Sequence, residues 1–437
     1  MSWNTLKKLS ALLILCLLCY ANAAWLRPVR DIAYSMHWIE NSYVEPKSTN
    51  NLRDAALQGM LESLDPYSAY IPSSALTSFN ALFDQQFAGL GIQVEGPPQR
   101  PKPTIVATIF HSPAFRTGLR PGDVIQEVDG NKVEAAAPDM DTLSRWLQGP
   151  VGSTASILIE RAGESMNFNV PREFVAVESI TGDRRKPDGT WEHQLQVASD
   201  ILYLHIELFG ERTAAELREI LSNASPCKGL IIDLRDNSGG LLDAAVEVCD
   251  MFLEDGPIVS THGRENNAQI DTAYATPGSL LPPSVPICIL INKESASASE
   301  VVAACLKDRK RAIVLGERSY GKGNVQSIVP ILGGSAAIRL TTAYYYPPSG
   351  RRIHKRPNDS SDDEWGVLPD PQGLVSLSPE DEAASQKRFQ LRSDPLRNGL
   401  ITDHPLVQIE DPNDSRFELD KPLARAVEIL RSHDITP

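Results

Sequence analysis

The chain has 437 residues, 42% of them hydrophobic and 22% charged, which is too long for one small core and too apolar for a disordered chain. Its 42 Lys and Arg stand against 56 Asp and Glu, a net charge of −14. No basic run is long enough to track phosphates, so nucleic acid is not an expected partner.

The first residues read as a targeting segment. Lys7 and Lys8 precede an apolar run from Leu9 to Leu18, and Ala21-Asn22-Ala23 offers a small-x-small cleavage site. The run is shorter than the roughly 18–20 apolar residues of a membrane span. Export to the periplasm or the extracellular space is expected, with no integral span after cleavage; an uncleaved segment would leave the protein membrane-associated. Cys16 and Cys19 leave with the signal. Cys227, Cys249, Cys288 and Cys305 lie in apolar stretches and read as buried thiols, although an exported chain could pair them in three ways. These four form no CxxC pair, no HExxH occurs and the eight His are scattered, so neither a metal nor a cofactor is expected.

Residues 24–86 show apolar positions at helical spacing, such as Ile32, Met36 and Ile39, then Leu52, Ala56, Met60 and Leu64, punctuated by Pro46 and Pro66. A small helical region is expected, its Met and Trp residues packing a core. From 87 to 174 the texture changes to short β-rich runs, including Ile105–Ile109 and Ser156–Glu160, with one helix near Asp141–Leu147. This stretch contains Ser112-Pro113-Ala114, Gly118-Leu119, Pro121-Gly122-Asp123-Val124-Ile125 and Val128-Asp129-Gly130. That run resembles the signature of a PDZ domain. The resemblance implies that a ligand's C-terminal strand adds to a sheet edge and that its carboxylate is held by the main-chain amides of a loop, here Gly89, Leu90, Gly91 and Ile92.

Residues 175–372 alternate strand and helix. Ile201–Ile206, Gly229–Leu234 and Val285–Asn292 read as strands, the last two nearly continuous in apolar residues as buried strands are; Ala214–Leu221 and Leu242–Phe252 read as helices. An α/β core with a mainly parallel sheet and packed helices follows. Residues 373–437 mix charge and proline with one short helix at Pro422–Leu430, and read as a peripheral extension without chemistry of its own.

Two segments could carry chemistry. Ser295-Ala296-Ser297-Ala298-Ser299-Glu300 stands between a buried strand and an apolar helix, where an exposed nucleophile and an anion site can coincide. Ser297 and Glu300 also fit a capping box, but three serines exceed what one cap needs. A nucleophilic serine requires a base. No GxSxG elbow occurs, and no His stands in an activating motif, although His205 and His262 are available. Lys322, in Gly321-Lys322-Gly323-Asn324-Val325-Gln326, is the alternative if burial keeps its amine neutral. Gln326 would share its face if that turn were helical. The plain readings of Lys322 are a solvated loop lysine or an anion-binding turn.

The motifs together resemble the C-terminal processing peptidases, or tail-specific proteases, which are serine peptidases with a Ser-Lys dyad. The resemblance rests on Leu64-Asp65-Pro66-Tyr67-Ser68, the PDZ signature, Asp233-Leu234-Arg235-Asp236-Asn237-Ser238-Gly239-Gly240, the serine segment and Gly321–Gln326. It implies Ser297 as nucleophile, Lys322 as general base and Gln326 as the residue that positions it. It further implies an oxyanion hole made by the amides of Ala298 and of Gly239 or Gly240, with Asp233 and Arg235 as a structural ion pair. The expected partners are proteins or peptides with free C-terminal tails, and a homo-oligomer or a regulatory adaptor is compatible. The PDZ domain is expected to move relative to the core on tail binding. Three departures stand out. Gln148 replaces an arginine proposed to sense the ligand, Ser238 stands where many relatives have Pro or Gly, and an acidic run at Asp359–Glu364, read as a solvated loop, precedes Gly366–Asp370. The alternative is a PDZ scaffold on an inactive peptidase fold.

Overall fold

In the computed structural model, residues 27–97, 100–133, 139–186, 190–264, 270–392 and 420–432 are described. The targeting segment, Pro405 and Pro412 lie outside them. The chain divides into two units, residues 1–76 with 326–341 and residues 77–325 with 342–437. Among the described residues no helix is long and apolar enough to cross a membrane.

The first unit contains the helices Arg27–Ser42 and Thr49–Glu62 and the strand Ala69–Ile71. Its small core joins Leu61, Tyr70 and Ala336. The strand pairs antiparallel with Ala337 to Arg339, Tyr70 standing opposite Ile338. The expected core packing of Met and Trp fails here. Trp38 is 55% exposed and Met60 48%, and the first helix buries no residue. Helical periodicity creates an apolar face; it does not supply the element that covers it.

In the second unit the PDZ segment forms an antiparallel sheet of Ile92–Glu95, Thr104–Thr108, Val124–Val128, Thr154–Arg161 and Glu164–Pro171. Ile105, Leu119, Ile125, Ile157 and Ile159 fill its core, and the helix Met140–Leu147 contributes the buried Leu143. A two-stranded neck, Gln86–Gly89 against Glu173–Ala176, connects it to the peptidase core. Gln85, buried at the foot of the neck, accepts the Arg212 amide through Oε1 at 2.6 Å and gives its carbonyl to Val177 N–H at 2.8 Å.

The peptidase core is built on the strands Ala198–Ile206, Gly229–Asp233, Ile287–Ile291 and Ala312–Gly316, which pair in parallel in that order, with short antiparallel strands added at one edge. The last three strands are buried throughout and the first is buried from Ile201 to Ile206, so they read as nearly continuous apolar runs rather than alternating. Leu230 and Ile232 face a core shared with the helices Thr213–Asn223, Leu242–Asp250 and Ala298–Asp308; Ile231 faces the opposite side. Cys249, Cys288 and Cys305 are buried free thiols and Cys227 is half-buried. Burial pushes the Cys288 thiol up to about 12.

The C-terminal extension departs from its expected peripheral role. The helix Lys421–Arg431 packs Leu423, Ala426, Val427, Ile429 and Leu430 onto Tyr203, Ile231, Cys288 and Leu290, closing the second face of the sheet. Its N-terminal cap, Asp420, is buried and ion-paired with Arg235 at 2.7 Å. An apolar sheet face needs cover, and the i, i+3, i+4 pattern of this short helix supplies it.

Candidate active site

The site is assembled where parallel strands end. After Ile287–Ile291 the chain turns through Asn292–Ser297 into the helix Ala298–Asp308, and the three serines in this turn separate by burial. Ser295 and Ser299 are fully buried and donate to the carbonyls of Leu234 and Asn237 at 2.7 and 3.0 Å. They lace the turn to the segment that follows the neighbouring strand. Ser297 is only half-buried and sits at φ 56°, ψ −116°. A left-handed φ at a serine costs about 1–3 kcal/mol and persists only where the surroundings enforce it.

The surroundings do so through Glu300 and Tyr345. The Ser297 N–H donates to Glu300 Oε2 at 2.9 Å, the carboxylate arm of the capping box, while the Glu300 amide reaches the Ser297 carbonyl at 2.9 Å. The same carboxylate accepts the amides of Lys322 at 2.8 Å and Gly321 at 2.7 Å and the Ser319 hydroxyl at 2.5 Å. Glu300 is fully buried; burial raises its pKa, opposed by these hydrogen bonds. The Tyr345 hydroxyl lies 3.0 Å from the Ser297 carbonyl and also meets that of Lys322. One acid and one phenol therefore bind the main chain of both proposed dyad residues. From sequence alone Glu300 reads as a cap, and Tyr345, in the run Tyr344-Tyr345-Tyr346, reads as sheet packing. The signal for Glu300 was present, since a glutamate on an all-apolar helix face must find donors.

The segment Asn237–Gly240 lies directly against the serine. A Cβ on Gly239 would come within 2.6 Å of Ser297 Cβ and 3.0 Å of the Ala298 amide nitrogen, and Gly239 has φ +107°, so only glycine fits. The Gly239 amide, one of the two candidate oxyanion donors, is already bonded to Asn237 Oδ1 at 2.8 Å. Asn237 is buried and fixed in turn by donating to the Ile206 carbonyl at 2.7 Å. No hydrogen bond engages the amides of Gly240 or Ala298 among the described residues; the latter is one of the unpaired amides that open every helix.

Lys322 is half-buried in an extended turn clamped on both sides. Gly323 gives its carbonyl to Tyr345 N–H at 3.0 Å and Gly321 gives its own to Lys355 N–H at 2.9 Å. Side chains at either glycine would strike neighbours, 2.4 Å from the His354 amide nitrogen and 2.9 Å from Lys355 Cβ. The helical turn that would have put Gln326 and Lys322 on one face is not formed, because Asn324–Ile331 is a strand. Gln326 belongs to the first unit, where its Nε2 donates to the Tyr67 carbonyl at 2.7 Å beside Arg339, which donates to the same oxygen at 2.9 Å.

Neither histidine competes well. His205 is buried between the Arg235 carbonyl at 3.2 Å and the Arg392 guanidinium at 2.9 Å. His262 stacks on Tyr346 with ring centroids 4.5 Å apart. Asp233 and Arg235 form the expected ion pair, both essentially without solvent exposure. Burial pushes the Asp233 carboxyl up, but the Arg235 charge and hydrogen bonds outweigh it and hold it well below the usual carboxylate range.

In the PDZ segment, Gly89, Leu90, Gly91 and Ile92 line a cavity of about 290 Å3 together with Leu143 and Leu147. The carbonyls of Leu90 and Gly91 are taken by Ala114 and Ile109 amides at 2.9 and 2.8 Å, and their own amides are unengaged among the described residues. Gln148 also lines this cavity, its Nε2 3.4 Å from Ser144 Oγ.

Comparison with known proteins gives three family matches. Residues 200–371 match peptidase family S41, residues 105–161 a PDZ domain, and residues 22–75 the N-terminal domain of the activating protease CtpB. The carboxy-terminal-processing protease of Bartonella bacilliformis is 35% identical over 323 residues, 72% of this chain and 70% of that protein. The carboxy-terminal processing protease CtpB of Bacillus subtilis is 31% identical over 324 residues, 73% of this chain; the match spans 64% of that protein, just under two thirds of its length. Among solved structures, the photosystem II D1 C-terminal processing protease is 25% identical, with 79% of this chain and 92% of that one covered at a TM-score of 0.42.

Proposed function

The chain belongs to peptidase family S41, the carboxy-terminal-processing proteases, and from that premise we propose that it is an exported serine endopeptidase. It reads the free C-terminal tail of a protein substrate through its PDZ domain and cleaves with Ser297 and Lys322. The observation that carries this reading is the shared hold on the two residues: Glu300 accepts the amides of both, and Tyr345 meets the carbonyls of both. Such a bracket fixes a nucleophile turn and a base turn as one body, which is what positioned acid-base chemistry needs.

The proposed steps use side chains and main-chain amides alone. Ser297 Oγ attacks the scissile carbonyl carbon while the neutral Lys322 amine takes the hydroxyl proton. The C–N bond then breaks as that proton passes to the leaving amine, which departs as a new N-terminus and leaves an ester on Ser297. Water attacks the ester, gives its proton to the same lysine, and Ser297 recovers it as the acid product leaves. The tetrahedral oxyanion is met by the amides of Ala298 and Gly240; Gly240 is preferred because the Gly239 amide is held by Asn237. Each such donor is typically worth about 3–4 kcal/mol in the transition state. Gln326, to which the family pattern gives the positioning role, is assigned no step here: it belongs to the first unit and donates to the Tyr67 carbonyl.

In the PDZ cavity, the unengaged amides of Leu90 and Gly91 suit a terminal carboxylate, and Leu143 and Leu147 suit an apolar last side chain. The test is cleavage of an unfolded substrate with an apolar free C-terminus and of its amidated twin, by the mature protein and by Ser297→Ala. Cleavage that vanishes in the variant and weakens on amidation supports both halves of the proposal. Equal cleavage of the two substrates removes tail recognition, and cleavage by Ser297→Ala removes the nucleophile.

A further inference from the structure

A second cavity, of about 230 Å3, lies in the peptidase core and is lined by Tyr344, Tyr345, Tyr346, Arg352, His354 and Arg356. Its walls are the two segments that clamp the Lys322 turn, through Tyr345 N–H to the Gly323 carbonyl and Lys355 N–H to the Gly321 carbonyl. An occupant would therefore sit beside the turn that bears the proposed base.

The lining is aromatic and cationic. Tyr344 packs against His354 with ring centroids 4.9 Å apart and Tyr346 against His262 at 4.5 Å, so stacked rings support the walls. Arg352 is neutralised by Asp359 at 2.8 Å; Asp359 is half-buried, while Ser360 to Glu364 are exposed, as the acidic run suggested. The Asp359 carboxylate also accepts the Arg356 main-chain amide at 2.7 Å. The exposed Arg356 guanidinium forms no close salt bridge or side-chain hydrogen bond among the described residues, its charge reaching Asp359 only at longer range. A guanidinium fork beside flat aromatic walls matches a carboxylate on a short stem, and it matches it bidentately.

We propose that this cavity is a specificity subsite that takes an Asp or Glu side chain of the substrate close to the scissile bond, with Arg356 as its anchor. The inference rests on the Ser297–Lys322 reading. The carboxylate concerned is a side chain rather than the terminus, because the terminal carboxylate is assigned to the PDZ loop.

The test is product profiling of a peptide library that varies the residues around the cleavage point behind one constant apolar tail, using mature protein and its Arg356→Glu and Arg356→Gln variants. The wild type should favour Asp and Glu over Lys at one position by about tenfold or more; Arg356→Gln should flatten that ratio and Arg356→Glu should reverse it. A ratio within one profile is insensitive to overall loss of activity, and thermal midpoints of the variants check their folding. Three results overturn the proposal: a wild-type profile without acidic preference, a preference unchanged in Arg356→Glu, or an aromatic preference indifferent to Arg356. Ser297-dependent cleavage in those cases leaves the dyad intact. No difference between wild type and Ser297→Ala on any peptide sinks the dyad and this subsite together.

Discussion

The Glu300 carboxylate accepts the Lys322 amide at 2.8 Å through Oε2, the oxygen that accepts the Ser297 amide at 2.9 Å. Every donor aimed at this buried acid comes from one of the two turns, so its shape sets their separation. Glu300→Gln puts an NH2 group among those donors. It should lower kcat by about 10- to 100-fold and stability by about 1–3 kcal/mol, the cost of buried donors left without an acceptor. Binding of a free-tail peptide, measured by fluorescence anisotropy, should be unchanged. A variant with wild-type kcat would show that the bracket is dispensable.

Tyr345→Phe removes the hydroxyl that meets the Ser297 and Lys322 carbonyls while keeping a ring that is 3% exposed. The fold should survive with a loss of about 0.5–1.5 kcal/mol, and kcat should fall further than KM rises. Steady-state kinetics with denaturant unfolding separates the two effects; a change in KM alone would place the hydroxyl outside the chemistry.

Gly239→Ala tests the contact between the oxyanion segment and the nucleophile. Its methyl would stand 2.6 Å from Ser297 Cβ and 2.8 Å from the Ala296 carbonyl, on a backbone with φ +107°. Turnover should drop by at least about 100-fold, the size of a lost oxyanion donor, with the far-ultraviolet circular dichroism unchanged. Turnover within a few-fold of wild type would mean that the two segments lie further apart during catalysis.

Asp420→Ala takes from the buried Arg235 the bonds of 2.7 and 3.0 Å to Asp420 and leaves it paired with Asp233, with its 3.0 Å bond to the Ser385 hydroxyl kept. Breaking one side of a buried ion network costs about 3–5 kcal/mol. Urea unfolding should register that loss; a cost below about 1 kcal/mol would mean that water reaches Arg235.

Acid should weaken the fold through His193, whose pKa falls to about 4 because of burial, with the Lys186 charge adding to the effect and Glu178 opposing it. Its Nε2 is buried without a hydrogen-bond partner among the described residues. An unfolded imidazole titrates near 6.5, so below that pH the unfolded chain binds a proton that the folded chain refuses until about 4. Stability contributed by the neutral ring is whole above about 6.5 and declines as pH falls toward 4. Urea midpoints at pH 7.5 and 5 should differ less for His193→Asn than for wild type, and equal differences would remove His193 from the account.

What sequence could show followed what is local. The apolar run at Gly229–Leu234 announced a strand buried on both faces because parallel sheets leave no polar alternation to read. Ser297 and Lys322, the proposed dyad, each stand in a short motif that is read without reference to distant residues. Asp420 was not, because its partner Arg235 lies 185 residues earlier and no periodicity couples them. Tyr345 was hidden in a run of three tyrosines whose shared β-propensity conceals the one hydroxyl pointed at the site. Trp38 and Met60 misled for the opposite reason, since an amphipathic pattern is the same whether its face is covered or bare. The condition set for Gln326, a helical turn after Lys322, is not met, because the chain is extended through Asn324–Ile331.

The measurement that bears most directly on the Ser297–Lys322 assignment is kcat/KM of Lys322→Ala beside His262→Ala, on one free-tail substrate. The dyad predicts a loss of about 100- to 10,000-fold for the lysine variant, the usual contribution of a positioned general base, and a rate within a few-fold of wild type for the histidine variant. A lysine variant that retains full activity, or a histidine variant that loses it, contradicts the dyad.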